Sequence, residues 1–148
     1  MSLAAPLPAA GSPRTRVMIV DDSVVVRGLV ARWVTESGEF EVVGTAANGQ
    51  MAIDALARIE PDIVLLDIEM PVMDGLTALP EMLRRRPGMR VVVISTLTKR
   101  NAEISLKCLS LGAIDYLPKP DGHRHVTTST DFRREPFGGR SRSTLTAV

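Results

Sequence analysis

The stretch "DIVLLDIEMPVMDG", residues 62–75, decides how the chain reads. Residues 63–66 are consecutively apolar, the pattern of a strand buried on both faces, yet the run ends on a carboxylate, Asp67. A buried strand that carries a charge to its carboxyl end belongs to an open parallel sheet, where ligands bind beyond the strand tips. Asp67 is therefore the first candidate site residue.

Similar runs lie on either side. "RVMIV" (16–20) is followed at once by Asp21 and Asp22, "FEVVGTA" (40–46) forms a second strand, "RVVVIS" (90–95) a fourth and "IDYLPK" (114–119) a fifth. Helical patterns separate them. After Ser23, a plausible N-cap, Val26, Val30, Trp33 and Val34 share one face, and Gly38 ends that helix. Asn48 caps a second helix with an apolar stripe of Met51, Ile53, Ala55, Leu56 and Ile59, and Pro61 stops it. Asp74 caps a third, "GLTALPEMLRRR", in which Pro80 removes a ladder bond and is expected to kink the axis. "NAEISLKCLSLG" is a fourth, closed by Gly112. This alternation implies an α/β, flavodoxin-like doubly wound sheet of five parallel strands in the order 2-1-3-4-5.

A fifth helix should follow the last strand, but its candidate, "TTSTDFRRE", meets the Pro-Phe-Gly-Gly of residues 136–139 after about two turns. The fifth helix is thus expected to be truncated or irregular, exposing apolar surface along one side of the sheet. That surface is expected to be covered by the tail or by a second copy of the chain. The predicted organisation is a disordered leader over 1–15, one domain over 16–121 and a linker-like basic tail over 122–148.

With 148 residues the chain is about one domain long and can bury about two thirds of its surface. Its formal charge of +1 gives no case for a nucleic-acid partner. Residues 16–119 carry 12 Lys/Arg against 14 Asp/Glu, whereas residues 120–148 carry five Arg against three acids, so an acidic domain precedes a basic extension. Cys108 is the only cysteine, which excludes an internal disulfide. The first 15 residues lack the apolar core of a secretion signal, and no window approaches a membrane span, so the cytoplasm is the expected compartment.

In the order 2-1-3-4-5 the first and third strands are neighbours, so Asp21, Asp22 and Asp67 converge in one crevice. Three carboxylates at close range repel and are costly to desolvate. Mg²⁺, which takes oxygen ligands and commonly joins carboxylates to a phosphate, would relieve that repulsion. Lys119 brings a second positive charge and Ser95 a hydroxyl donor, a set suited to stabilising a phosphoryl group. An aspartate can itself be the nucleophile, forming an acyl phosphate. Asp67, alone at a central strand tip, fits that role, with Asp21 and Asp22 as the metal cradle. Singly, each of these residues reads as a cap or a solvated charge; four strand ends agreeing in one chain favour a site. Trp33 and Cys108 read as core, residues 84–86 as a solvated helix end, and "HRH" at 123–125 as weak evidence for a metal.

"VDDS", "LLDIEMPVMDG", "VVVIST" and "DYLPKP" together resemble the receiver domain of two-component response regulators, over about residues 14–121. "VVGTAANGQMAIDAL" and "LGAIDYLPKP" narrow the likeness to the receiver half of the chemotaxis protein-glutamate methylesterases, the CheB family. The resemblance implies that Asp67 is phosphorylated by a histidine kinase (CheA-like) and that Asp21, Asp22, Asp67 and the backbone carbonyl of Glu69 hold Mg²⁺. It also implies that Ser95 and Tyr116 form a switch pair, that Lys119 contacts the phosphoryl group, and that the Lys119–Pro120 bond is cis. The Ser-His-Asp constellation of the esterase half is absent from this sequence, so the esterase domain of full-length relatives would have to be supplied elsewhere. A homodimer through the uncovered sheet face or the surface of strands four and five is a further expectation.

Two rival readings use the same fold. An aspartyl-phosphate phosphohydrolase would need Glu69, two residues beyond the nucleophile, as general acid with its side chain in the site. A flavin or nucleotide binder would want a phosphate-binding loop after the first strand, where Asp21 and Asp22 instead place two anions.

Overall fold

The computed structural model describes residues 13–119 of the 148. Five strands form one parallel sheet: β1 (Thr15–Val20), β2 (Phe40–Ala46), β3 (Ile63–Asp67), β4 (Arg90–Ser95) and β5 (Asp115–Pro118). Their spatial order is β2-β1-β3-β4-β5, as expected. Between them run α1 (Val24–Glu36), α2 (Gly49–Ile59), α3 (Gly75–Arg85) and α4 (Lys99–Ser110).

The strands form where the apolar runs predicted them, because a parallel strand covered by helices on both faces needs apolar side chains on both. Every residue of β3 is buried. One face, with Met18, Val20, Val64, Leu66, Val91 and Val93, packs on α2 and α3 through Leu56, Ile59, Leu79 and Met82. The other, with Val17, Ile19, Ile63 and Leu65, shares a core with Val30, Trp33 and Val34 of α1. Trp33 and Cys108 are both buried, as expected.

Helix starts follow the capping residues. Ser23, Asn48 and Asp74 each accept a hydrogen bond from the backbone N–H three residues on. The helix α1 gives way at Gly38, whose φ of 78° lies in the left-handed region, and α2 ends at Glu60 before Pro61. The helix α3 continues through Pro80 to Arg85.

Several details depart from the sequence reading. β1 begins at Thr15, one residue inside the expected leader, because Thr15 pairs with Phe40 and its N–H reaches Glu39 O at 3.1 Å. α4 begins two residues before Asn101, because Thr98 Oγ1 caps it by accepting from the Asn101 N–H at 3.0 Å. Met51 is 51% exposed and drops out of the α2 stripe, since Ala52, Leu56 and Ile59 define the buried face. Residues 84–86 are not merely solvated. Arg84 and Arg85 clasp Glu81, holding its carboxyl down at about 2, and Arg86 Nε donates to Pro61 O at 2.7 Å.

Val92, Ile94 and Leu117, on β4 and β5 where a short fifth helix was expected to leave apolar surface in need of cover, are buried within the same core as Trp33. The fifth-helix candidate, the basic tail with its "HRH", and the Lys119–Pro120 bond all lie outside the described residues.

Candidate functional site

Parallel pairing in register sets the carboxyl ends of the strands side by side. β1 pairs with β3 through Val20 and Leu66, so the residues that follow each of them, Asp21 and Asp67, emerge at the same level. Asp67 is itself the last residue of β3 and pairs with Ile94, which puts Ser95 one step further on β4. Ser95 pairs with Pro118 across β5, and the next amide, Lys119 N–H, donates to Ser95 O at 2.8 Å. The topology thus delivers three acids, a hydroxyl and a lysine to one rim.

The acids meet there. One carboxylate oxygen from each of Asp21, Asp22 and Asp67 lies within 4.8 Å of the others. Asp21 and Asp67 are buried, whereas Asp22 is exposed. Lys119 Nζ stands 3.1 Å from Asp67 Oδ2 and 3.3 Å from Asp21 Oδ2, bridging the two buried acids. Asp67 Oδ2 is buried, and its contact with the ammonium is a charge-paired one.

The loop from β3 to α3 is held tightly. Gly75 N–H donates to Ile68 O at 2.8 Å, and a Cβ at residue 75 would collide with the Asp67 carbonyl oxygen, so only glycine permits this approach. The β1–α1 turn is closed by Ser23 N–H donating to Asp21 Oδ1 at 2.8 Å, while Arg27 Nη1 donates to Asp21 O at 2.6 Å.

Electrostatics follow from this packing. Burial, reinforced by the neighbouring Asp21 charge, raises the Asp67 carboxyl from 3.8 to about 6; Lys119 and the Glu69 N–H oppose the rise without cancelling it. Burial works against the Lys119 ammonium, but the two aspartates outweigh it and its pKa rises. A single lysine therefore leaves the cluster short of positive charge. An oxygen-only donor set with excess negative charge is what a hard divalent cation takes. Asp21, Asp22 and Asp67 fit such an ion.

Other expected site residues lie differently. Ser95 is buried, but its hydroxyl lies 3.4 Å from that of Ser105 on α4, and among the described residues no hydrogen bond joins it to Asp67 or Lys119. Tyr116, on β5, is 43% exposed. The Glu69 carboxylate is also exposed and faces Arg100 Nη1 at 3.5 Å, outside the acid cluster, which removes the geometry the phosphohydrolase reading needs. Sequence reading missed Arg27, Asn101 and Ser105. Their only signal was helical spacing, and neither an arginine one turn into α1 nor a serine or asparagine in α4 has a partner that spacing alone reveals.

Comparison with known proteins places the chain among signalling domains. The family model for the response regulator receiver domain matches residues 17–130. The protein-glutamate methylesterase/protein-glutamine glutaminase 1 of Rhodospirillum rubrum is 55% identical over 120 residues, 81% of this chain and 31% of that protein. The chain thus spans about a third of the length of this and similar curated relatives. Among solved structures, the response regulator domain of Thermotoga maritima CheB aligns with a TM-score of 0.74 at 28% identity, covering 90% of this chain and 97% of that one. CheY6 of R. sphaeroides, solved in complex with the P1 domain of CheA3, is represented by a match with a TM-score of 0.64 at 32% identity, covering 82% of this chain and 98% of the other.

Proposed function

This chain belongs to the response regulator receiver domain family, and we propose that it is a CheB-type signalling switch in which Asp67 accepts a phosphoryl group from a histidine kinase. The observation that carries the reading is the position of Lys119 Nζ, 3.1 Å from Asp67 and 3.3 Å from Asp21, inside a three-carboxylate cluster. The CheA3–CheY6 complex supports a CheA-like kinase as donor.

In the transfer, an Asp67 carboxylate oxygen attacks phosphorus. An O–P bond forms as the N–P bond to the donor imidazole breaks, and the departing imidazole takes a proton from solvent. Asp67 must be ionised to attack, and at neutral pH it is mostly so, with its pKa of about 6. Asp21, Asp22, Asp67 and the Glu69 carbonyl would hold Mg²⁺, which supplies charge neutralisation to the transferring group. Lys119 is placed to exchange part of its contact with the carboxylates for one with a phosphoryl oxygen. Ser95 donates its hydroxyl to the same group on turning from α4, and Tyr116 changes rotamer with it.

In this reading the receiver unit runs from Thr15, where β1 begins, to residue 121, and residues 122–148 form a linker toward an esterase domain whose access the phosphorylated surface controls. Among the described residues no helix is long and apolar enough to cross a membrane, in keeping with action in the cytoplasm.

Intact-mass spectrometry of the chain with acetyl phosphate and Mg²⁺ tests this. One added phosphoryl group in the wild type, absent in Asp67→Asn, is expected. Steady hydrolysis of many equivalents of a small phosphate ester would support the phosphohydrolase instead.

A further inference from the structure

Two polar side chains of α4 are buried against the end of β4 and take no part in the chemistry above. Ser105 is 0% exposed, and its hydroxyl lies 3.4 Å from that of Ser95, long for an O–H···O bond. Asn101 is 2% exposed. Its Nδ2 donates to Thr96 Oγ1 at 2.8 Å and, more weakly, to Thr96 O at 3.4 Å, while its Oδ1 is buried with no hydrogen-bond partner among the described residues. Both residues therefore tie α4 to the two positions at the tip of β4, and both ties are imperfect.

A buried hydroxyl and a buried amide oxygen left underpaired are unfavourable in a resting structure that has no use for leaving it. They fit an element with a second arrangement. Asn101 and Ser105 are four residues apart, so they occupy the same face of α4 and act on β4 as one unit. The β4 tip is also tied to the acid cluster through Lys119 N–H on Ser95 O, so a change at either side reaches the other through two hydrogen-bonded steps.

We propose that Ser105 and Asn101 are positioning residues forming a latch that holds Ser95 and Thr96 in the resting arrangement, and that its opening transmits phosphorylation of Asp67 to α4. The proposal rests on the reading of Ser95 as the hydroxyl that turns toward the phosphoryl group. When Ser95 turns, Ser105 loses its partner in a dry environment and α4 must shift or rotate to rehydrate or re-pair it. The latch thus opposes phosphorylation and at the same time converts it into movement of a helix. Removing the Ser105 hydroxyl weakens the resting arrangement, by leaving Ser95 unpaired, and relieves the phosphorylated one. Both effects favour the phosphorylated state.

The test is a titration of the full 148-residue chain with beryllofluoride in Mg²⁺, a stable phosphoryl analogue, followed by amide NMR. Ser105→Ala, Ser95→Ala, their double variant and Asp67→Asn are compared, each checked for an unchanged native spectrum elsewhere. Ser105→Ala is expected to bind about tenfold tighter than the wild type. In the Ser95→Ala background the same substitution should change affinity by less than about twofold, since its partner is already gone. A purely structural serine would act alike in both backgrounds. The Asn101 side-chain amide signals should also move on saturation of the wild type. An unchanged or weaker affinity for Ser105→Ala, an equal effect in both backgrounds, or a stationary Asn101 amide overturns the latch while leaving Asp67 as the acceptor. Beryllofluoride binding indifferent to Asp67→Asn overturns the proposed function, and the latch with it.

Discussion

Replacing the central acid should stabilise the fold. Asp67 is buried beside Asp21, and its pKa stands at about 6 against 3.8 for an unperturbed side chain. At about 1.4 kcal/mol per factor of ten in proton affinity, the ionised carboxylate costs the metal-free folded state about 3 kcal/mol relative to its neutral form. The folded pKa is the higher of the two, so the native state binds the proton more tightly than the unfolded chain does. Stability associated with this group is complete below pH 3.8 and is lost as pH rises through about 6. Asp67→Asn has no charge to lose, although its amide faces Lys119 less favourably than a carboxyl would. At pH 8 in chelator the variant is expected to exceed the wild type by about 2–3 kcal/mol in urea unfolding, with an unchanged m-value. The gap should close toward pH 4, and at pH 8 it should narrow when Mg²⁺ is added, because the wild type, with all three carboxylates, gains more from binding. A variant less stable than the wild type at pH 8, or a difference independent of pH, would refute the electrostatic account of the site.

Three further outcomes follow from the same contacts. Lys119→Met leaves two buried carboxylates without their cation and should destabilise the metal-free fold by about 3 kcal/mol at pH 8, less at pH 5 where Asp67 takes up a proton; urea titrations at the two pH values measure this. Gly75→Ala drives a Cβ into the Asp67 carbonyl, so it should slow labelling by acetyl phosphate at least about tenfold by displacing the acceptor, with mass spectrometry as the readout. Trp33→Ala, far from the acids, should lose about 3–5 kcal/mol in thermal or urea unfolding yet still accept a phosphoryl group at temperatures where it stays folded.

The fold was legible because its signals are local and strong. The apolar runs of β1, β3 and β4 need cover on both faces, and Ser23, Asn48 and Asp74 announce the helices that give it. The acid cluster was legible for the same reason: once the strand order is set, Asp21 and Asp67 can only emerge together. What sequence did not reveal depends on facing relations between elements distant along the chain. Ser105 looks like any helical serine until α4 is laid on β4, and the pairing of Arg27 with the Asp21 carbonyl needs the turn of α1. The start of α4 was misplaced because Lys99 and Arg100 add nothing to an apolar stripe, so the first turn shows only through the cap at Thr98.

The most direct test of the central claim locates the acyl phosphate. The chain is labelled with acetyl phosphate in Mg²⁺, reduced with borohydride, which converts a phosphorylated aspartate to homoserine, and sequenced by tandem mass spectrometry. Homoserine at position 67 and at neither 21 nor 22 is the predicted result. Homoserine at either of those two positions, or at none while labelling persists, would contradict it.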